Sequence, residues 1–191
     1  MRKIVLTIFL LSIIMIGCSF SEERVVKKIE KQFNKCKGYE SSLNITISMD
    51  GNKAQYKMNE KHIKDGKTIV EIIYPGKNNK ITSEYLNNKI IINNPAIEQS
   101  ITLNDFKDLD KGFLAKDIFD NIKKLKFIEE KEIDGKQYFA FDYPIKDKNK
   151  YNNKKILLFD KRELTPFSLE ILDREGVTRT IILYENFKFL P

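Results

Sequence analysis

Tyr39, Ser41, Leu43, Ile45, Ile47 and Met49 alternate with Glu40, Ser42, Asn44, Thr46 and Ser48. A period of two with one apolar face predicts a half-buried strand. Asp50-Gly51 supplies a hairpin turn, because both residue types accept the left-handed backbone that a two-residue turn needs. Ala54, Tyr56 and Met58 continue as a second strand, and Asp65-Gly66 turns the chain into Thr68–Tyr74. After the loop Pro75–Asn79, Ile81, Ser83 and Tyr85 form the next strand. Asn87-Asn88 is a tight turn, and Ile90–Ile92 a short strand ended by Asn94-Pro95. Strand patterns return at Phe127–Ile133, Tyr138–Tyr143, Ile156–Phe159, Phe167–Leu172 and Val177–Tyr184, with Asp134-Gly135 and Asp173–Gly176 as turns.

Two segments carry a helical period instead. Val26, Ile29, Phe33 and Cys36 are spaced three, four and three apart, which places them on one helix face. Ser19–Ser21 are N-cap candidates, Glu22 and Glu23 suit the first turn, and Gly38 is placed to stop the helix. In the middle of the chain Asn104-Asp105 is a candidate cap for a short helical turn. Ile118, Ile122 and Leu125 predict a helix over residues 114–124. The fold class is therefore α+β: a single curved antiparallel sheet of about ten or eleven strands, with an N-terminal and a central helix on its concave side.

The extreme N-terminus does not belong to that domain. Met1-Arg2-Lys3 is a short positive region, followed by an apolar run of 13 residues from Ile4 to Ile16. A membrane span needs roughly 20 apolar residues, so the run reads as a signal-peptide core. Met15-Ile16-Gly17-Cys18 follows and resembles the lipobox of bacterial lipoproteins. That resemblance implies cleavage between Gly17 and Cys18 and diacylation of the Cys18 thiol, with membrane attachment through the lipid. The expected division is residues 1–17 as lipoprotein signal peptide and 18–191 as one domain.

Composition narrows the chemistry. The 191 residues carry 34 Lys+Arg against 27 Asp+Glu, one histidine and two cysteines. Two cysteines cannot make a disulfide scaffold, and one histidine argues against a multi-histidine metal centre or a histidine-paired nucleophile. There is no Gly-rich phosphate loop, no Cys-x-x-Cys and no Gly-x-Ser-x-Gly. The carboxylates of Glu129-Glu130-Lys131-Glu132 lie in a mixed-charge strand and read as a solubilising face. Cys36 is expected to be a small buried side chain on the first helix. His62, in Glu60-Lys61-His62-Ile63-Lys64, is expected to be solvated. No catalytic, metal-binding or cofactor-binding residue is assigned, and the modest positive charge calls for no nucleic acid. Lysine outnumbers arginine 29 to 5, and Ile and Asn abound, a bias of AT-rich codons that with the lipobox suggests a low-GC Gram-positive source.

The C-terminal succession Leu157-Leu158-Phe159-Asp160, Glu163-Leu164-Thr165-Pro166-Phe167, Leu169–Asp173, Gly176 and Ile181–Phe187 resembles the ending of LolA/LolB-superfamily domains. Val70 to Pro95 is similar to their earlier meander. The resemblance spans most of residues 22–189 and implies an unclosed half-barrel capped by helices. Size, lipobox and composition are most similar to the GerS family of clostridial spore-germination lipoproteins. That resemblance implies a non-catalytic partner of a CwlD-type cortex amidase, N-acetylmuramoyl-L-alanine amidase, needed to make muramic-δ-lactam. It also implies a place on the outer forespore membrane facing the cortex.

Two other readings compete. A half-barrel can bind lipid or acyl chains on its concave face, with Ile45, Ile47, Val70, Ile72, Phe139, Phe141, Ile181 and Leu183 as candidate lining. A filled core would count against that reading, and an open cavity of several hundred Å³ would favour it. The basic segment Lys146–Lys155 could instead meet an anionic wall polymer or lipid headgroups. Finally, the exposed edges of an unclosed sheet invite a homodimer or hetero-complex formed partly by strand exchange.

Overall fold

The alternating pattern beginning at Gly38 builds the first strand of an eleven-stranded antiparallel sheet in a computed structural model that describes residues 22–64, 66–75, 80–86, 89–104 and 112–191. The chain runs α1 (Glu22–Lys35), β1 (Gly38–Met49), β2 (Asn52–Ile63), β3 (Thr68–Tyr74), β4 (Thr82–Leu86), β5 (Lys89–Asn94) and β6 (Gln99–Asn104). After α2 (Ala115–Asp120) and a 3₁₀ turn at Ile122–Lys124 come β7 (Lys126–Ile133), β8 (Lys136–Tyr143), β9 (Lys154–Asp160), β10 (Pro166–Leu172) and β11 (Thr178–Leu190). The spatial order is β6-β5-β4-β3-β2-β1-β11-β10-β9-β8-β7. Two meanders are thus joined where the first strand pairs with the last, and β6 and β7 are left as the two edges. The lipobox, Ser19–Ser21, Asp65, most of the Pro75–Asn79 loop, Asn87-Asn88 and Asp105 lie outside the described residues.

Turn chemistry sets the register. Asp50 and Gly51 have φ of 49° and 80°, and Asp134 and Gly135 have 51° and 75°. Positive φ at both central residues matches the right-handed twist of the flanking strands. Gly38 plays another part than the helix stop expected of it. It is the first residue of β1, and a Cβ there would lie 2.0 Å from the His62 carbonyl oxygen. Glycine is required by close strand approach. In the β1–β11 ladder the register shifts between Glu40 and Ser42, opposite Asn186 at φ 51°, a bulge that tightens the local twist.

One face of this sheet is covered by both helices. Val25, Val26 and Ile29 of α1, with Ala115, Ile118, Phe119, Ile122 and Leu125, pack on Tyr39, Leu43, Ile45, Phe139, Phe141, Leu157, Phe159, Leu169, Ile182 and Tyr184. Phe33 stacks on Phe119 at 4.2 Å between centroids, so the two helices meet through aromatic faces. On the other face Tyr138, Ala140 and Leu158 form a small second cluster with Ile156 and Phe167.

Other expectations change along the chain. The central helix is shorter than residues 114–124, because the chain tightens into a 3₁₀ turn after Asn121. Asn104 ends β6, a strand absent from the expected set although Ile101 and Leu103 alternate with Ser100 and Thr102, and the helical turn expected after it lies outside the described residues. On β11 the core-facing residues are Ile182 and Tyr184, whereas Ile181 is exposed and Leu183 is absent from the core. Ile181-Ile182-Leu183 is apolar at consecutive positions, so alternation alone leaves its phase undecided.

Candidate functional site

Strand β2 places Tyr56, Met58, Glu60 and His62 on one side and Lys57, Asn59, Lys61 and Ile63 on the other. The inward phase therefore carries a carboxylate and an imidazole under the helical layer. Glu60 is only 1% exposed. It accepts a short hydrogen bond from the Tyr39 hydroxyl of the neighbouring strand and one from the Ala115 backbone N–H at 3.1 Å. Burial pushes its carboxyl up to about 7, against the lowering effect of the Tyr39 hydroxyl and the N–H groups of Ala115 and Lys116. Tyr39 and Tyr184 are both driven well above the usual phenol range, first by burial and then by the nearby Glu60 charge. Tyr184 donates its hydroxyl to the Phe113 carbonyl at 2.8 Å, and Tyr143 hydrogen-bonds Asp117. Glu60, Tyr184 and Tyr143 together tie the residues around α2 to the sheet.

His62 is buried at 3% exposure, where a solvated side chain was expected. Its Nδ1 lies 3.0 Å from Thr68 Oγ1, and its ring lies beside Tyr39 and Phe33. The cause is strand parity: His62 shares the inward phase of Glu60, while the charges that suggested solvent, Lys61 and Lys64, occupy other positions. Glu60 was missed for the same reason, although counting on by twos from Tyr56 and Met58 would have found it.

Beside this cluster a cleft of about 640 Å³ opens between the end of α1, the β2–β3 connection and α2, lined by Phe33, His62, Lys64, Lys67, Leu86, Lys116 and Asp120. A narrower pocket of about 200 Å³ adjoins it through Gly66, Leu86, Lys116 and Asp120 and reaches Thr68, Tyr85, Leu114 and Asp117. Cations and anions mix along its rim, and the rim is internally paired: Lys67 with Glu84 at 2.9 Å, Lys116 with Asp120 at 2.5 Å. The lining of the larger cleft mixes the apolar Phe33 and Leu86 with the charged Lys64, Lys67, Lys116 and Asp120. A carboxyl titrating near neutrality is often an active-site mark. Here its oxygens are committed to Tyr39 and to the start of α2, which makes Glu60 an anchor for that helix. Among the described residues no group of three or more His, Cys, Asp or Glu is arranged to hold a metal.

The proposed lipid lining divides along the sheet. Ile45, Phe139 and Phe141 are core residues packed under the helices, and Ile47 packs against that core. On β3, Val70 is buried and Ile72 half-buried, neither of them in that cluster. Cys36 is buried, as its helical spacing predicts, and its Sγ donates to the Phe33 carbonyl at 2.9 Å. Gly17 and Cys18 fall outside the described residues. In the basic segment, Lys155 is buried with its ammonium 5.6 Å from the Tyr143 ring centroid, while Lys146, Lys148, Lys150 and Lys154 are exposed.

The two sheet edges differ. β7 carries Lys126, Glu129, Glu130, Lys131 and Glu132, a charged edge that discourages pairing. β6, Gln99-Ser100-Ile101-Thr102-Leu103-Asn104, has no ionisable side chain and is exposed at every position but Leu103.

The chain is thus a helix-capped, unclosed antiparallel sheet in which buried polar groups hold α2 against the strands. The family model of sporulation proteins described as YdcC-like matches residues 1–191, and the chain belongs to that family. No curated protein sequence matches it. Among solved structures, an uncharacterized conserved protein from Thermus thermophilus is similar at 12% identity and TM-score 0.60, over 88% of this chain and 87% of that one. The structure of the CwlD amidase from Clostridioides difficile in complex with the GerS lipoprotein matches at 24% identity and TM-score 0.54, over 90% of this chain and 98% of that one. A LolA superfamily protein from Nitrosomonas europaea matches at 13% identity and TM-score 0.43, over 88% and 93% of the two chains.

Proposed function

We propose that this sporulation-family protein is a non-catalytic lipoprotein that binds a CwlD-type amidase and enables it to act on spore-cortex peptidoglycan, so that muramic-δ-lactam is made for germination. The observation that carries the reading is the near full-length likeness to a chain from the CwlD–GerS complex, in a chain that belongs to a sporulation family. The commitment of Glu60 to holding α2, rather than to an open catalytic cleft, supports a binding role. The lipobox supports attachment through Cys18, and the likeness to a chain of the CwlD–GerS complex supports a place on the outer forespore membrane facing the cortex. The uncharged edge at β6 supports self-association or partner binding by strand pairing.

Co-purification of the full chain with a CwlD-type amidase, followed by an assay on cortex peptidoglycan, tests this. Co-elution with amide cleavage that needs both proteins is the expected result. No complex, and full amidase activity without this chain, would overturn it. The lipid-carrier alternative is the weaker reading, because side chains of both helices occupy the concave face over β1 and β8–β11.

A further inference from the structure

Successive strands place three connections side by side at one end of the sheet. The β1–β2 hairpin follows Met49, the β10–β11 hairpin spans Asp173–Val177, and the β8–β9 loop covers residues 144–153. The ladder fixes their common level: Ile47 pairs with Thr180, Thr180 with Ile171, Leu172 with Lys154, and Lys155 with Tyr143. Each connection exposes one large apolar side chain, Met49 at 45%, Tyr151 at 42% and Val177 at 47%. Met49 and Tyr151 border one shallow depression of about 310 Å³, which Ile47 and Ile171 also line. Around these tips the exposed cations Lys53, Lys146, Lys148, Lys150, Lys154 and Arg174 outnumber the exposed anions Asp50, Asp142, Asp147 and Glu175. The remaining acid, Asp173, is turned inward on Arg179 at 2.6 Å. At the opposite end the exposed Ile63 and Ile133 belong to β2 and β7, which five strands separate in the sheet order.

We propose that this end of the sheet docks onto an anionic lipid surface, with Met49, Tyr151 and Val177 entering the headgroup layer and the surrounding lysines meeting lipid phosphates. Charge complementarity favours an anionic partner, each cation near such a surface contributing about 1 kcal/mol of attraction. The apolar tips favour a bilayer over a wall polymer, because a glycan or polyol phosphate offers nothing that burying Met and Val would gain. Tyr151 suits the interface, with an apolar ring and a polar tip.

The direction of α1 agrees, and here the inference rests on the lipid-anchored reading. α1 ends at the far end of the sheet, where the Lys37 N–H donates to the Leu190 carbonyl. Five residues before the helix ends, Glu30 pairs with Lys123 at 3.1 Å, three residues ahead of the start of β7 at Lys126. Lys126 pairs with Asp142, next to the last residue of β8 before the basic loop. The N-terminal half of α1 therefore heads toward the basic end. Cys18 precedes Glu22 by four residues, a tether of at most about 14 Å. A lipid on so short a tether holds the basic end, and not the far one, against the bilayer.

The chain contains no tryptophan, so single substitutions report local depth. The full chain, purified from bacterial membranes and reconstituted, carries either Tyr151→Trp or Ile133→Trp. The vesicles are phosphatidylcholine brominated on its acyl chains, with or without phosphatidylglycerol. The expected result is quenching of the tryptophan at 151 by about twofold or more in the phosphatidylglycerol vesicles, less in phosphatidylcholine alone, and none at 133. Combining Tyr151→Trp with Lys148→Glu, Lys150→Glu and Lys154→Glu abolishes that quenching. If this variant melts below the parent, loss of quenching at high salt in the parent replaces it as the readout. No quenching at 151, equal quenching at 133, or retention on purified cell wall with the 151 signal unchanged would each overturn the proposal. Cys18→Ser separates the two readings. Equal retention of Cys18→Ser and parent on phosphatidylcholine vesicles would remove the anchor, while quenching at 151 on anionic vesicles would still stand.

Discussion

Glu60 accepts the backbone N–H of Ala115, 55 residues later in the chain, at 3.1 Å. That one hydrogen bond joins the centre of the first meander to the start of the helix that leads into the second. It is sheltered by Tyr39, whose hydroxyl donates to the other carboxylate oxygen. The two meanders meet chiefly through the β1–β11 ladder and the helical layer.

Glu60→Ala leaves the Tyr39 hydroxyl and the Ala115 N–H without their acceptor inside the core. Loss of about 1–3 kcal/mol is expected, read as a lower urea midpoint. Glu60→Gln, which keeps an acceptor oxygen, should lose less.

Stability should also depend on pH through this group. In the folded protein the Glu60 carboxyl holds its proton up to about 7, whereas the unfolded chain releases it near 4.5. Between those values the folded state binds the extra proton, so raising the pH favours unfolding. The melting temperature should fall as pH rises through that window, and Glu60→Gln should flatten the slope. An unchanged slope in the variant would show that Glu60 does not titrate there.

Gly38→Ala brings a Cβ to 2.0 Å from the His62 carbonyl oxygen, a backbone atom that cannot swing aside. The β1–β2 ladder must spread, and a loss above about 2 kcal/mol is expected. Gly135→Ala meets no neighbour within 4 Å but must hold φ near 75°, so only about 1 kcal/mol is expected. Chemical denaturation of the two variants side by side checks the contrast.

Phe119→Ala removes a ring stacked on Phe33 and edge-on to Phe159. A loss of about 3–5 kcal/mol is expected. Because the ring joins α2 to α1, hydrogen exchange should speed up first in residues 115–124.

Ile101→Lys adds a charge to the neutral β6 edge at an exposed position. If β6 pairs with another chain, self-association or amidase binding should weaken, while the fold, read by its melting temperature, stays as it was. Glu132→Lys, exposed on β7, should leave both unchanged. Sedimentation with and without the amidase distinguishes the two edges.

Local pattern was enough for the strands whose two faces differ in polarity. β1 follows its alternation from Tyr39 to Ile47, and the Asp-Gly hairpins fall where their composition requires positive φ. The apolar face of α1 and the burial of Cys36 followed from helical spacing alone. The single open sheet under two helices was therefore legible before any coordinates. What the sequence could not decide was every position where two readings have the same local chemistry. Ile181, Ile182 and Leu183 are equally apolar, and only the pairing of β11 with β1 and β10 chose Ile182 for the core. Glu60 and His62 look like solvated residues in a charged stretch, because local polarity says nothing of a helix that returns 55 residues later to cover them. The same holds for Met49, Tyr151 and Val177, far apart in the chain and made neighbours by antiparallel pairing. Side-chain type sets what a segment can bury, whereas long-range pairing sets which face is buried and which tips stand together.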